Sequence, residues 1–331
     1  MTTLIAKRLG AMVVVLLALA VAMFALQKIS PLDPVHAMLG PSASPQAIAA
    51  QRHQLGLDRP VPEQFLSYLG GIFHGDLGSS YRTRRPVGSD LVTFVPATAE
   101  LALYALVLAL LLATAFAVAT ALRWPGARLF RLLLLGGASA PAFLLAIAGV
   151  LVFYRNLGWL PATGRTGIAD APGGPTGLLT VDGLLHGRID VTLDAFRHLL
   201  LPSLAVAIGP AVSIGRVLRS SLADNGRARY VTTARAKGLT ESRVLTRHVL
   251  RNAVGPALSM TGLQVGLMFA GVLVIEQIFA WPGVGQYTAQ SIPVADFPAI
   301  AGVTLVLGAG YVVINTIVDT LQAIADPRIN V

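Results

Sequence analysis

Residues 96–122 read PATAELALYALVLALLLATAFAVATAL, and no residue from Leu101 to Leu122 carries a charge. At 1.5 Å per residue, a helix over this run crosses a hydrocarbon core of ~30 Å. Comparable runs occupy 9–26, 129–154, 199–218, 257–280 and 298–324. Together they predict an all-α, polytopic membrane protein with six transmembrane helices. Composition agrees, since 54% of the 331 residues are apolar and only 12% are charged. A soluble domain carries roughly twice that charge, about 25%. The fourth run is the weakest, because Pro202 and Gly209-Pro210 interrupt it and Arg216 ends it. Gly136-Gly137 with Pro141 predicts a bend in the third. Lys7-Arg8 and Ala20-Val21-Ala22 have the features of a cleavable signal, but the apolar run continues to Leu26. That is too long for a signal's apolar region and predicts a retained anchor helix over 1–27.

Orientation follows from arginine and lysine in the short connections, since long loops translocate largely regardless of charge. Residues 123–131 hold three arginines and no acid, and 216–256 hold nine basic residues against Asp224 and Glu241. Residues 281–297 on the other side have no basic residue. The long loops are nearly balanced, with six basic and five acidic residues in 28–95, and four of each in 155–198. Both termini and 219–256 are therefore expected in the cytoplasm, and both long loops outside it. The first of these, 28–95, carries an amphipathic pattern over 46–55 and a glycine-rich stretch over 70–78, and is expected to fold over the membrane surface. The remainder, 96–331, forms a five-helix core.

What the spans lack excludes several functions. A charge at mid-membrane costs ~2.5–3.5 kcal/mol even on permissive scales, so it is kept only for a purpose. Glu100, Glu276 and Asp319 all fall within a turn or two of an expected span end, which leaves no central proton relay. The six histidines (His36, His53, His74, His186, His198 and His248) lie in loops or at span edges, and read as surface residues. No Gly-x-Ser-x-Gly elbow or metal-ligand spacing accompanies them. There is no cysteine. The lysines, Lys7, Lys28 and Lys237, are followed by Arg8, Ile29 and Gly238, so no phosphate-cradling loop exists and any energy for transport must come from another polypeptide. Gly262 and Gly266 form a close-approach pair, and Gln264, Asn315 and Thr316 either pack or line a path.

The basic segment carries the most information. Residues 230–243 read YVTTARAKGLTESR, a helix, a glycine stop and a second helix. Gly238 suits the left-handed position that ends a helix, with Arg235 and Lys237 at the negative dipole end. Thr240 is placed to cap the next helix, with Glu241 in its first turn. That helix sets Arg243, Arg247 and Arg251 on one stripe and Val244, Leu245, His248 and Val249 opposite. A basic helix lying on anionic lipid satisfies the same pattern. Nucleic acid does not, for no aromatic residues interleave with the arginines.

The run Thr-Ala-Arg-Ala-Lys-Gly-Leu (233–239), followed by Arg247-His248, Arg251-Asn252-Ala253 and Pro256, resembles the cytoplasmic loop of ABC-importer permeases, specifically the dipeptide/oligopeptide branch. Leu55-Gly56-Leu57-Asp58-Arg59-Pro60, Gly75-Asp76-Leu77-Gly78-Ser79-Ser80, Pro96-Ala97-Thr98-Ala99-Glu100-Leu101, Trp281-Pro282-Gly283-Val284-Gly285 and Asp326-Pro327-Arg328-Ile329 follow the same family in collinear order. The first long loop makes the chain similar to the B-type member of the permease pair. Two positions depart. The superfamily's Glu-Ala-Ala-x-x-x-Gly falls on Thr232, Thr233, Ala234 and Gly238, without the glutamate and first alanine, and Gly255 stands where an apolar residue is usual.

The resemblance implies the ABC type I importer permease fold, in a bacterial inner membrane. It implies a non-catalytic subunit paired with a homologous second permease, two ATPase subunits inside and a substrate-binding protein outside. ATP and Mg would sit in those partners, with no cofactor or metal in this chain. Tyr230, Thr232, Thr233, Ala234, Arg235, Lys237, Gly238 and Arg243 would form the ATPase-coupling loop, with Ala234 and Gly238 in the ATPase groove. Leu57, Asp58, Asp76 and Gly78 would contact the binding protein or gate the outer mouth. Nickel and glutathione permeases share these motifs, and a stand-alone channel or sodium-coupled carrier is the reading from a different class.

Overall fold

The computed structural model describes residues 2–31, 33–40, 42–122 and 124–325. Arg123 and the motif 326–329 lie outside them. The described residues form helices joined by loops and turns, with one isolated antiparallel bridge between Ser79 and Pro86. In chain order the helices are α1 (Thr2–Ile29), α2 (Pro34–Leu39), α3 (Pro45–Gln54), α4 (Val61–Phe73), α5 (Val87–Ala121), α6 (Ala127–Ala138) and α7 (Ala142–Gly149). After α7 come α8 (Leu179–Leu185), α9 (Ile189–Asn225), α10 (Arg229–Ala236), α11 (Glu241–Val244), α12 (Leu250–Ile278), α13 (Val284–Ser291) and α14 (Phe297–Ala325). A wider π turn, Val150–Asn156, extends α7, and another, Leu245–Val249, joins α11 to α12.

Five of the six expected spans are single helices long and apolar enough to cross a membrane, and the third is a bent pair. Glycines 136 and 137 with Pro141 were expected to bend that span. The bend is present and sharp: α6 and α7 meet at 111°, because Pro141 takes ψ 145°, an extended conformation that ends helical geometry. The fourth run, the weakest in the sequence, is also a span. Pro202 and Pro210 sit inside α9, yet it runs unbroken for 37 residues. Its apolar window is 67% buried against 33% or less in the other single spans. A proline costs a buried helix less when neighbouring helices enclose the freed carbonyls.

The chain forms two compact units. The first comprises Met1–Ala97 and Pro282–Val312. Here α1 and α14 approach closely, since a Cβ on Gly308 would lie 2.5 Å from Leu19 Cδ1. The Tyr287 ring is buried, stacked on Phe94 at 4.9 Å between centroids, and its hydroxyl reaches Asp90 at 3.0 Å. Asp296, also buried, accepts from Ser80 Oγ at 2.5 Å and from the Arg82 amide at 3.1 Å.

The second unit comprises Thr98–Trp281 and Val313–Val331. Its axis is α9, which packs against α6, α7, α8 and α12. On α5, Ala105, Ala109, Ala113 and Ala117 recur every fourth residue, all buried, and Ala109 meets Ala207 and Ala211 of α9. A Cβ on Gly215 would lie 2.7 Å from Phe116 Cδ1. This small-residue seam is how helices gain dispersion contact where lipid removes the hydrophobic drive.

Glu100 lies well inside α5, because the helix starts at Val87 and not at Pro96. It is 1% exposed and bonds to Arg165 at 2.5 Å, to the Thr180 amide at 2.9 Å and to Thr180 Oγ1 at 2.6 Å. Arg165 also donates to the Gly177 carbonyl at 2.8 Å and lies over the Trp281 ring at 5.8 Å. Glu276 accepts from Thr98 Oγ1 at 2.5 Å. The second long loop is thus fastened to α5 through a buried carboxylate. Arg165→Met removes the ion-pair partner of Glu100 and leaves only Thr180 to bond it, and is expected to cost about 3–5 kcal/mol. The Tm of the purified protein should fall further in that variant than in the Glu100→Gln/Arg165→Met pair.

Candidate functional site

The basic segment starts where Asn225-Gly226 ends α9, with the Gly226 amide on the Leu222 carbonyl at 2.9 Å. Ala228 is extended (ψ 148°) and starts α10. That helix buries Val231 and Ala234 among Ile214, Leu218 and Leu222 of α9, Val244, and Ala253 of α12. Full burial of a valine contributes ~1.5–3 kcal/mol, so α10 is held firmly on its own chain. Tyr230, Thr232, Thr233, Arg235 and Lys237 point outward and are exposed. The expectation that Ala234 enters a partner's groove therefore needs correction. At 6% exposure its methyl faces the chain's own core.

Gly238 ends α10 with φ +77°, its amide on the Arg235 carbonyl at 2.9 Å. A Cβ there would meet nothing within 4 Å, so the backbone and not space requires the glycine. Thr240 has the extended backbone of a cap, but its side chain makes no capping bond. Glu241 is instead engaged by Arg235, Nε to Oε1 at 2.7 Å and a second guanidinium nitrogen to Oε2 at 3.1 Å. The pair bridges the glycine turn and fixes the angle between α10 and α11. Asn252 Nδ2 donates to Tyr230 Oη at 3.1 Å, tying α10 to the start of α12. Arg243, Arg247 and Arg251 are exposed on one side, with Val244 and Val249 buried on the other. Among the described residues none of these three arginines has an ion pair or hydrogen bond.

The residues singled out in the first long loop divide. Leu57, Asp76 and Gly78 line one cavity of about 430 Å³, together with Lys28, Gln64 and Tyr68. Asp76 Oδ1 accepts the Gly78 amide at 2.8 Å, a tight turn for which Gly78 takes φ +80°. Asp58 lies outside that cavity, exposed and bonded to His53 Nδ1 at 2.6 Å. Lys28, Gln64 and Tyr68 escaped sequence reasoning. Lys28 closes an apolar run and Tyr68 sits in an unremarkable helix, so only the fold brings them together.

The arrangement has no grouping of His, Asp and Glu that could hold a metal among the described residues. It is an assembly of spanning helices with one short helix, α10, buried on its inner face and exposed on its outer face. The chain belongs to the family of binding-protein-dependent transport system inner membrane components, which it matches over residues 95–331. The N-terminal membrane component of the same systems matches residues 1–102. Its fold is the type I ABC importer permease fold, and it is a non-catalytic permease component of an inner-membrane importer. The family excludes a stand-alone channel or sodium-coupled carrier.

A dipeptide transport system permease protein of Alkalihalophilus pseudofirmus is 36% identical over 327 residues, 98% of each chain. A di/tripeptide transport system permease protein of Pseudomonas aeruginosa is 37% identical over 334 residues, 99% of each. A glutathione transport system permease protein of Salmonella typhimurium is 35% identical over 326 residues, 98% of this chain and 97% of the relative.

The first long loop also contains a pH-sensitive cap. Burial alone would raise the Asp33 carboxyl, but the Val35 amide at 2.9 Å, His36 and Arg52 together hold it below the ordinary range. Its stabilising contribution is present above the unfolded value of ~3.9 and is lost as pH falls through the lower folded value. Exchange of the Val35 amide, corrected for intrinsic rate, should accelerate over that acid range, and Asp33→Asn should remove the dependence.

Proposed function

We propose that this chain is the permease subunit for di- or oligopeptides, a passive gate worked from the cytoplasm through residues 230–238. The relatives' names support peptide as the substrate class, and glutathione, itself a small peptide, is a second reading on the Salmonella relative. Both termini and the lever lie in the cytoplasm, in keeping with the basic residues of 216–256. The partners are a homologous second permease, two ATPase subunits that hold ATP and Mg, and an extracytoplasmic binding protein. ATP binding draws the levers of the two permeases together, and the bundles rock from inward-open to outward-open. Substrate then enters from the docked binding protein, and hydrolysis resets the cycle.

The observation that carries this reading is the asymmetry of α10. Its inner face, Val231 and Ala234, is anchored in the core of its own chain, and its outer face is bare. A lever needs both properties, since a loose helix absorbs displacement and a fully covered one receives none. The groove contact falls to Tyr230, Thr233, Lys237 and the turn at Gly238.

Gly238→Val forces a β-branched residue into a left-handed backbone, at roughly 1–2 kcal/mol. In the reconstituted importer, assembly should survive while substrate-stimulated ATP hydrolysis separates from uptake. Normal coupling in that variant counts against the reading. At the outer surface, Asp58→Lys should lower uptake several-fold at limiting binding protein, with recovery at saturation. Unchanged uptake at every binding-protein concentration removes Asp58 from the docking surface.

A further inference from the structure

The break between α6 and α7 opens onto a cavity of about 410 Å³, walled on its other sides by α9 and α12. The break contributes Ser139 and Ala142, α9 contributes Gly209, Ser213 and Arg216, and α12 contributes Gln264. Arg216 is the one charged residue in the lining. It was expected to terminate a span; α9 continues past it to Asn225, and Arg216 itself is exposed. Among the described residues Arg216 has no ion pair and no hydrogen bond, and Ser213 has no hydrogen bond. Gln264 donates only to the Met260 sulfur, at 3.7 Å, which leaves its carbonyl oxygen open.

Two buried carboxylates of the spanning helices are answered within the chain. Glu100 has Arg165, and Asp90 has the Thr83 and Tyr287 hydroxyls. Arg216 is instead exposed and open to the cavity. The planar guanidinium fork matches a carboxylate through two parallel bonds. Ala142 begins α7 in the cavity wall, and Pro141 gives that helix no side-chain cap, so the positive end of its dipole adds to the same field.

Peptides of varied sequence share only their amides and their termini. A site serving many of them must grip those groups and leave room for the rest. Arg216 suits the terminal carboxylate, Ser213 and Gln264 suit amides, and the small residues at 138, 140, 142, 205 and 209 leave space for variable side chains. We propose that this cavity is a station for the peptide on its way through the permease, with Arg216 holding the C-terminal carboxylate. The inference rests on the peptide reading above and names the group that the site recognises.

The chain has no cysteine, so Ser213→Cys places a single thiol of this subunit in the cavity. The complete importer carrying it is put into nanodiscs, and maleimide labelling is followed with added Ala-Ala or Ala-Ala amide. No binding protein is needed for this measurement. The free acid should slow labelling at about tenfold lower concentration than the amide, equivalent to about 1.4 kcal/mol. Arg216→Gln should erase that difference and Arg216→Lys should keep part of it, with co-elution of all subunits on size exclusion reporting intact assembly in both.

Equal protection by the two ligands, or none, overturns the station. So does labelling that responds to exchange of anionic lipid for phosphatidylcholine and not to peptide, or a thiol blocked by the second permease. Uptake of labelled Ala-Ala by the wild-type importer with its binding protein is measured in parallel. Uptake without protection defeats the station alone, and absent uptake defeats the peptide reading beneath it.

Discussion

A carboxylate in an apolar slab has to be answered by the protein, because neither lipid nor a dry helix interface will solvate it. Glu100 sets that requirement for the second unit. Arg165 and Thr180 meet it from a loop that would otherwise have little reason to settle, and Arg165 is in turn held by the Gly177 carbonyl and the Trp281 ring. A further backbone bond, from the Gly164 amide to the Phe279 carbonyl at 2.8 Å, secures the same loop to the end of α12. With the loop fixed, α8 packs on the start of α9, where Thr192 reaches the Thr180 carbonyl at 3.2 Å. The alanine seam of α5 then closes on α9 at a spacing that larger side chains would prevent.

Much of this was legible in the sequence, for definite reasons. Apolar length alone identifies the spans, since the bilayer imposes one dimension on every helix. Gly238 was readable because a positive φ has few other residues to choose from. What was not legible depended on distance or on direction. Glu100 and Arg165 are 65 positions apart, and no local pattern pairs them. Pro141 signals a disturbance of the helix, but whether it yields a kink or a 111° break depends on the ψ that the surroundings select. Prolines 202 and 210 carry the same local signal inside an unbroken helix, because enclosure by four neighbours outweighs propensity.

The candidate lever repeats this lesson at the scale of a few residues. The glycine stop, the helix before it and the arginine stripe after it follow from spacing. The facing of Ala234 does not, since a methyl group reads equally well as a groove contact or as core, and only the company of Leu218, Leu222 and Val249 decides it. Arg235 was expected to serve the helix dipole and Glu241 the start of the next helix. Their bidentate pairing across the turn joins the two roles in one bond and stiffens the hinge between α10 and α11.

That stiffness bears on how cytoplasmic force reaches the cavity at the α6–α7 break. Val231 and Ala234 of α10 share one buried cluster with Ile214, Leu218 and Leu222, and Arg216 lies between the first two of these on α9. On the proposed reading, displacement of α10 reaches the segment of α9 that carries Arg216 through this packed cluster, which resists compression. Immediately before that segment, Pro210 removes a backbone donor and Gly209 lacks a side chain, so α9 bends there at least cost. A helix clamped by α8 at its start, weakened at 209–210 and gripped by the lever at 214–222 moves its second half as a unit. On the proposed reading, movement of the lever and movement of Arg216 are then one mechanical event, with no relay required between them.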